Sequence, residues 1–149
     1  MLEMILRYGN YHFWSQDQSW IMIEAAGMPE EAVTPFLHTI AVDKLWLERI
    51  EHGGRPALDE LTDFAEAKEL MIELKKQWKD FFDGLTNEAM AGEITFQNTR
   101  GISITVTLGE ILMHVFNHGT YHRGQVARAV RLSGGEPIST DLLDFLRQK

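Results

Sequence analysis

Apolar residues recur at helical spacing over three long stretches, give way to strict alternation, then return to helical spacing. From about Leu2 to Ala26, Ile5, Tyr8, Tyr11 or Phe13, Trp20 and Ile23 fall near one face and predict a first helix. Gly27 and then Pro29 predict its end, since glycine suits the left-handed position after a helix and proline resists continuation. The second helix ends near Glu51–Gly54 and begins at one of two prolines. It starts either near Pro29 or at Pro35, with Thr34 as N-cap. A start at Pro29 would leave Pro35 inside, where a kink is expected. Leu61, Phe64, Met71, Leu74, Trp78 and Phe81 share a face and predict a third helix over about Asp59–Phe82.

The period then changes to two. Glu93–Gln97 and Ile102–Val106 alternate apolar and polar residues around Asn98–Gly101, predicting a β-hairpin that must lean on the helices. Thr107 and Glu110 have the spacing of a capping box, opening a helix from Leu108 to about Leu132, before Gly134-Gly135 and Pro137. A short last helix, Asp141–Gln148, follows Thr140 or Ser139 as cap. Four long helices joined by short links predict an all-α four-helix bundle, with residues 1–149 as one domain. No internal repeat or low-complexity segment interrupts it.

Composition narrows the function more than the fold. A net charge of -8 argues against a nucleic-acid groove, which needs clustered Lys and Arg, and against docking on anionic lipid. No apolar run is long enough to span a membrane, and the opening residues do not read as a secretory signal, so a cytoplasmic location is expected. There is no cysteine, which excludes disulfides, thiolate metal ligands and a cysteine nucleophile. A thiol handled by this chain would have to arrive with the substrate.

Three of the six histidines, His114, His118 and His122, stand four residues apart on the helix after the hairpin. His118 and His122 fall within the stripe of Ile111, Val115, Val126 and Ala129, which faces the core. Two imidazoles on such a face are either hydrogen-bonded core residues or an i, i+4 pair aimed at one metal ion. The pairing at ligand spacing favours the metal. His114 lies on the flank of the stripe, a turn away. A third ligand must come from elsewhere. His52, in a glycine-rich turn, reads as a solvated residue or a cation at a helix C-terminus. His12 sits beside both apolar and polar neighbours. His38 shares a face with Ala41, Val42 and Leu45, while Val33, Phe36, Ile40 and Leu47 form a second stripe that could meet a partner subunit. On the residues alone, His38 is ahead of His12 and neither is eliminated.

The stretch from His114 to Leu146, with Asn117-His118-Gly119-Thr120-Tyr121-His122-Arg123-Gly124-Gln125 at its centre, resembles the C-terminal motif of the DinB family of metal-binding four-helix bundles. The stretch from Phe36 to Ile50, in which His38 precedes the pair Trp46-Leu47, resembles that family's second helix. Ile94–Glu110 resembles its hairpin, and Phe13-Trp14-Ser15-Gln16 its Trp-x-Asn element, with Gln16 where asparagine is usual. The resemblance implies that His38, His118 and His122 bind a divalent metal, commonly zinc or nickel (Zn2+ or Ni2+). It further implies a bundle with a long crossover, usually a homodimer. Damage induction is the origin of the family's name and implies no DNA binding.

Three neutral imidazoles leave a metal its full charge and at least one open position, as in catalytic zinc sites. Such an ion can lower the pKa of bound water or of a bound thiol. Relatives in the wider superfamily resemble S-transferases using low-molecular-weight thiols such as bacillithiol or mycothiol, and a thiol-dependent isomerase. A metal-dependent thiol S-transferase in stress response or detoxification is therefore the leading expectation, with a small-molecule substrate. A hydrolase using metal-bound water is the runner-up, and a non-catalytic, stress-induced metal-binding dimer the rival from another class. Gln125 and Tyr121 are the neighbours expected to orient a ligand or substrate. Arg123 is expected to point away from the stripe into an ion pair near the C-terminal segment. Trp14 and Trp46 are expected in the core or a pocket wall. No Asp or Glu stands beside the histidine pair as in a His-Glu-x-x-His protease helix, which makes peptide hydrolysis a poor fit.

Overall fold

Helix α1 (Leu2–Ala25) ends where Gly27 takes a positive φ of 76°. Gly27 N–H bonds to Glu24 O at 3.0 Å and Met28 N–H to Ile23 O at 2.9 Å, a Schellman stop that satisfies two otherwise orphaned carbonyls. In this computed structural model the described residues are 1–98 and 100–148; Thr99, in the predicted hairpin turn, and Lys149 lie outside them. After α1 the described residues form α2 (Glu30–His52), α3 (Phe64–Asp83), α4 (Asn87–Ala91), β1 (Glu93–Gln97), β2 (Ser103–Thr107), α5 (Leu108–Leu132) and α6 (Leu142–Leu146).

The architecture is all-α, with α1, α2, α3 and α5 as the long helices of the bundle and a two-stranded antiparallel sheet leaning on them. Helix α2 starts with Pro29 as N-cap and runs through Pro35 without a break. Both of its apolar stripes are buried in this same chain: Phe36, Ile40 and Leu47 on one side, Ala41, Val42 and Leu45 on the other. The second stripe is thus used inside the bundle and is not left over for a partner.

Three elements have other bounds than expected and one is additional. Helix α3 begins at Phe64 rather than Asp59, because the Asp63 side chain accepts from Glu66 N–H and caps it. Residues 53–63 become a long connection instead. Strand β2 is shifted one residue, pairing Glu93 with Thr107 through Gln97 with Ser103. Helix α6 covers only Leu142–Leu146, and its cap is Asp141, which accepts from Leu143 N–H at 2.7 Å. Helix α4, capped by Thr86, has no counterpart among the predicted elements, since five residues are too few to show a period.

The capping box at the start of α5 forms as its spacing predicts. Thr107 Oγ1 accepts from Glu110 N–H, and Glu110 Oε2 accepts from Thr107 N–H at 2.8 Å. This fixes where the histidine helix begins, and hence which of its faces meets α2. Ile94, Phe96 and Val106 of the hairpin pack against the core, while Thr95 and Thr105 hydrogen-bond across the outer face.

Candidate functional site

Helices α2 and α5 lie side by side, and their seam carries the histidines. His38 of α2 and His118 and His122 of α5 each offer a ring nitrogen within 4.8 Å of the other two, a grouping able to hold a metal ion. His118 Nε2 and His122 Nε2 are 3.1 Å apart. Two nitrogens bound to one zinc at about 2.1 Å in tetrahedral geometry lie about 3.4 Å apart, so the pair stands near coordination spacing. The ring centroid of His38 is 5.3 Å from that of His118 and 4.9 Å from that of His122.

The partners of the other ring nitrogens orient this set. His38 Nδ1 donates to the Glu60 carboxylate at 2.9 Å, which leaves Nε2 as the lone pair. His122 Nδ1 donates to Gln125 Oε1 at 2.8 Å, with the same consequence. With His122 Nε2 an acceptor, either His118 donates to it or both face a shared cation. Burial and the neighbouring rings of His122, His38 and His114 push the His118 pKa down to about 4, which keeps it neutral and able to ligate at neutral pH. The donor set and its outer hydrogen bonds fit a divalent metal.

All three rings are only partly buried, although the spacing of their stripe reads as core-facing. They sit at the edge of the core, where a cavity of about 1180 Å³ with mixed polar and apolar walls opens along His38, Glu60, His122, Gln125 and Arg128. The core-facing residues between and beside them are Gly119 and Arg123, both buried. Arg123 therefore points in, contrary to expectation, and among the described residues it makes no carboxylate ion pair. Its guanidinium lies 5.0 Å from the Tyr11 ring centroid and donates to Thr120 Oγ1 at 2.7 Å. Burial lowers its pKa, while Tyr11 and Asp43 act in the opposite sense. Tyr11 in turn donates to Thr140 O at 2.8 Å, which ties the C-terminal segment to α1.

His12 is 1% exposed and belongs to a different cluster. Its Nε2 donates to Asp43 Oδ2 at 3.0 Å, and the Gln16 amide donates to the same oxygen. Gly119 permits this arrangement, since a Cβ there would overlap the His12 ring at Cε1. His52 is exposed at the end of α2 beside Glu51. His114 is turned toward Trp46, with ring centroids 5.4 Å apart, and is not in the metal-capable group. Tyr121 is exposed, its ring edge-on to His122 at 5.1 Å. Trp46 is buried and lines a cavity wall, and Trp14, half-buried against Phe145, lines another, both as expected.

Sequence reasoning misses Glu60 and Asp43. Glu60 falls within a stretch that reads as helix, and nothing local marks it as a histidine partner. Asp43 carries a weak signal: a carboxylate lying between the two apolar stripes of α2 needs a buried partner.

A model of the DinB family matches residues 30–149. Protein DinB of Bacillus subtilis (strain 168) is 30% identical over 82 residues, 55% of this chain and 46% of that protein. The matched region thus spans about half the length of that curated relative. Among the described residues no helix is long and apolar enough to cross a membrane.

Proposed function

The chain belongs to the DinB family, and from that premise we propose that it is a metal-dependent S-transferase joining a low-molecular-weight thiol to an electrophile, in detoxification or stress response. The observation that carries the reading is the grouping of His38, His118 and His122, with no fourth protein ligand among the described residues. A divalent cation there, zinc or nickel, supplies Lewis acidity that lowers the pKa of a coordinating thiol.

The chain's own residues do the rest. Glu60 and Gln125 hold the His38 and His122 rings in the tautomer that turns Nε2 to the ion. The cavity along these rings gives a small thiol a place to lie, and Arg128 together with Glu30, Glu31 and Glu60 in its wall suits a thiol that carries both an acidic and a basic group. With no cysteine in the sequence, the protein has no thiol of its own to compete for the ion or the electrophile. We also propose a homodimer, on the family resemblance alone, acting on a small molecule rather than on nucleic acid or a membrane.

The test is conjugation of small thiols to 1-chloro-2,4-dinitrobenzene by protein carrying stoichiometric metal and by chelated protein. The rate should follow metal occupancy and return when zinc or nickel is restored. Equal rates from the two preparations would overturn the reading.

A further inference from the structure

Beyond His114 lies a second cavity, of about 680 Å³, bounded by the C-terminal half of α2, residues 55–58 of the connection after it, the hairpin and the start of α5. Its wall is mostly apolar, with Trp46, Phe96 and Ile104 prominent, and contains one buried cation. That cation is Arg49, only 8% exposed. Its guanidinium carbon lies 4.9 Å from the Trp46 ring centroid and 5.4 Å from that of Phe96.

Two observations make Arg49 unusual. Its Nε is buried without a hydrogen-bond partner, and no ion pair among the described residues includes it. Glu110 also lines the cavity, but its Oε2 is taken up by the Thr107 N–H and hydroxyl, each at 2.8 Å. Burial, and then the nearby Arg55, lower the Arg49 pKa, yet a guanidinium stays charged at any physiological pH. A buried, uncompensated cation is costly, and stacking on two aromatic rings offsets only part of that cost.

We propose that this cavity is a binding site for a small amphiphilic anion. A flat apolar body lies against Trp46, Phe96 and Ile104, and a carboxylate or sulfonate head meets Arg49. The ligand class follows from the wall: large apolar surfaces with two guanidinium groups, the buried Arg49 and the exposed Arg55, against one carboxylate, Glu110, are the complement of an aromatic or aliphatic acid. The site is separate from the histidine group and does not rest on the thiol reading.

Two fluorescent probes with the same ring system test it on the purified, metal-loaded protein: 8-anilinonaphthalene-1-sulfonate and the uncharged N-phenyl-1-naphthylamine. Arg49→Met should weaken the sulfonate about tenfold or more and leave the neutral probe within about twofold, because only the charge-assisted contact is lost. Ile104→Trp, which puts a bulky ring where the flat body of either probe would lie, should weaken both. Arg49→Lys keeps the charge without the planar fork and should fall between wild type and Arg49→Met; it carries the comparison if Arg49→Met does not fold. Failure of the sulfonate to bind wild-type protein overturns the proposal. So does sulfonate binding that ignores either Arg49 substitution or Ile104→Trp, or an equal loss of both probes in the Arg49 variants.

Discussion

Two histidine clusters lie within one bundle and are built in opposite ways. At the first, His12 is sealed between α1, α2 and α5, and its Nε2 and the Gln16 amide both end on Asp43. At the second, His38, His118 and His122 are half-buried at the α2–α5 seam. Glu60 and Gln125 take the Nδ1 atoms of His38 and His122, and His122 Nε2 is left facing His118 Nε2. A carboxylate on the inside closes a histidine cluster; a carboxylate on the outside opens it to a cation. The contrast lies in where the acceptor stands, since burial alone would rank His12 as the stronger site.

The largest effects should separate the clusters outright. His38→Ala, His118→Ala and His122→Ala should each remove stoichiometric metal, because two imidazoles do not close a stable site. His12→Ala should keep metal at the wild-type ratio. Elemental analysis of purified variants measures both halves. Retained metal in any of the three, or lost metal in His12→Ala, would erase the distinction.

The next effect falls on stability. Asp43→Ala removes the acceptor shared by the His12 Nε2–H and the Gln16 amide in a water-excluded interior. Gln16 Nε2 lies 3.2 Å from His12 Nε2, so a change of tautomer lets the ring accept from the amide and leaves one stranded imidazole N–H, a loss of about 1–3 kcal/mol. A drop in the urea midpoint at unchanged slope would measure it. A variant as stable as wild type would mean that the carboxylate does not hold this cluster together.

The two clusters are not equally legible in the sequence. The spacing of His118 and His122, the Thr107–Glu110 box and the end of α5 are local features, and local pattern carries them. The third partner is not local. His38 and His12 both lie on helices with mixed faces, and resemblance to a family separates them. In the structure, Asp43 accounts for His12 through a contact between α1 and α2, which no helical wheel contains. Arg123 shows the same limit: charge places it outside on a wheel, while Gly119 one turn earlier and Tyr11 on α1 make room and a partner for it inside. Glu60 is hidden because Leu61 continues the apolar face of Phe64 and extends the apparent helix back to Asp59, which the Asp63 cap overrides.

The smallest effect tests the rule about the position of the acceptor within the open cluster itself. Glu60 and Gln125 do the same job for different histidines, but one offers an anion and the other a neutral amide. Substitutions of groups that orient metal ligands lower affinity about 10–100-fold. Glu60→Ala removes both the acceptor and the charge that raises the basicity of His38, and Gln125→Ala leaves His122 Nδ1 to water. Because charge-assisted hydrogen bonds are about twice as strong as neutral ones, the Glu60 variant should fall toward the upper end of that range and the Gln125 variant toward the lower. Competition with a chromogenic chelator gives both constants. Tyr121→Phe serves as the reference, since its exposed ring touches His122 only by its edge and removal of the hydroxyl should leave metal affinity unchanged. If Gln125→Ala proved the more damaging, the ordering by charge would fail, and the His122 tautomer would be the feature on which the site depends.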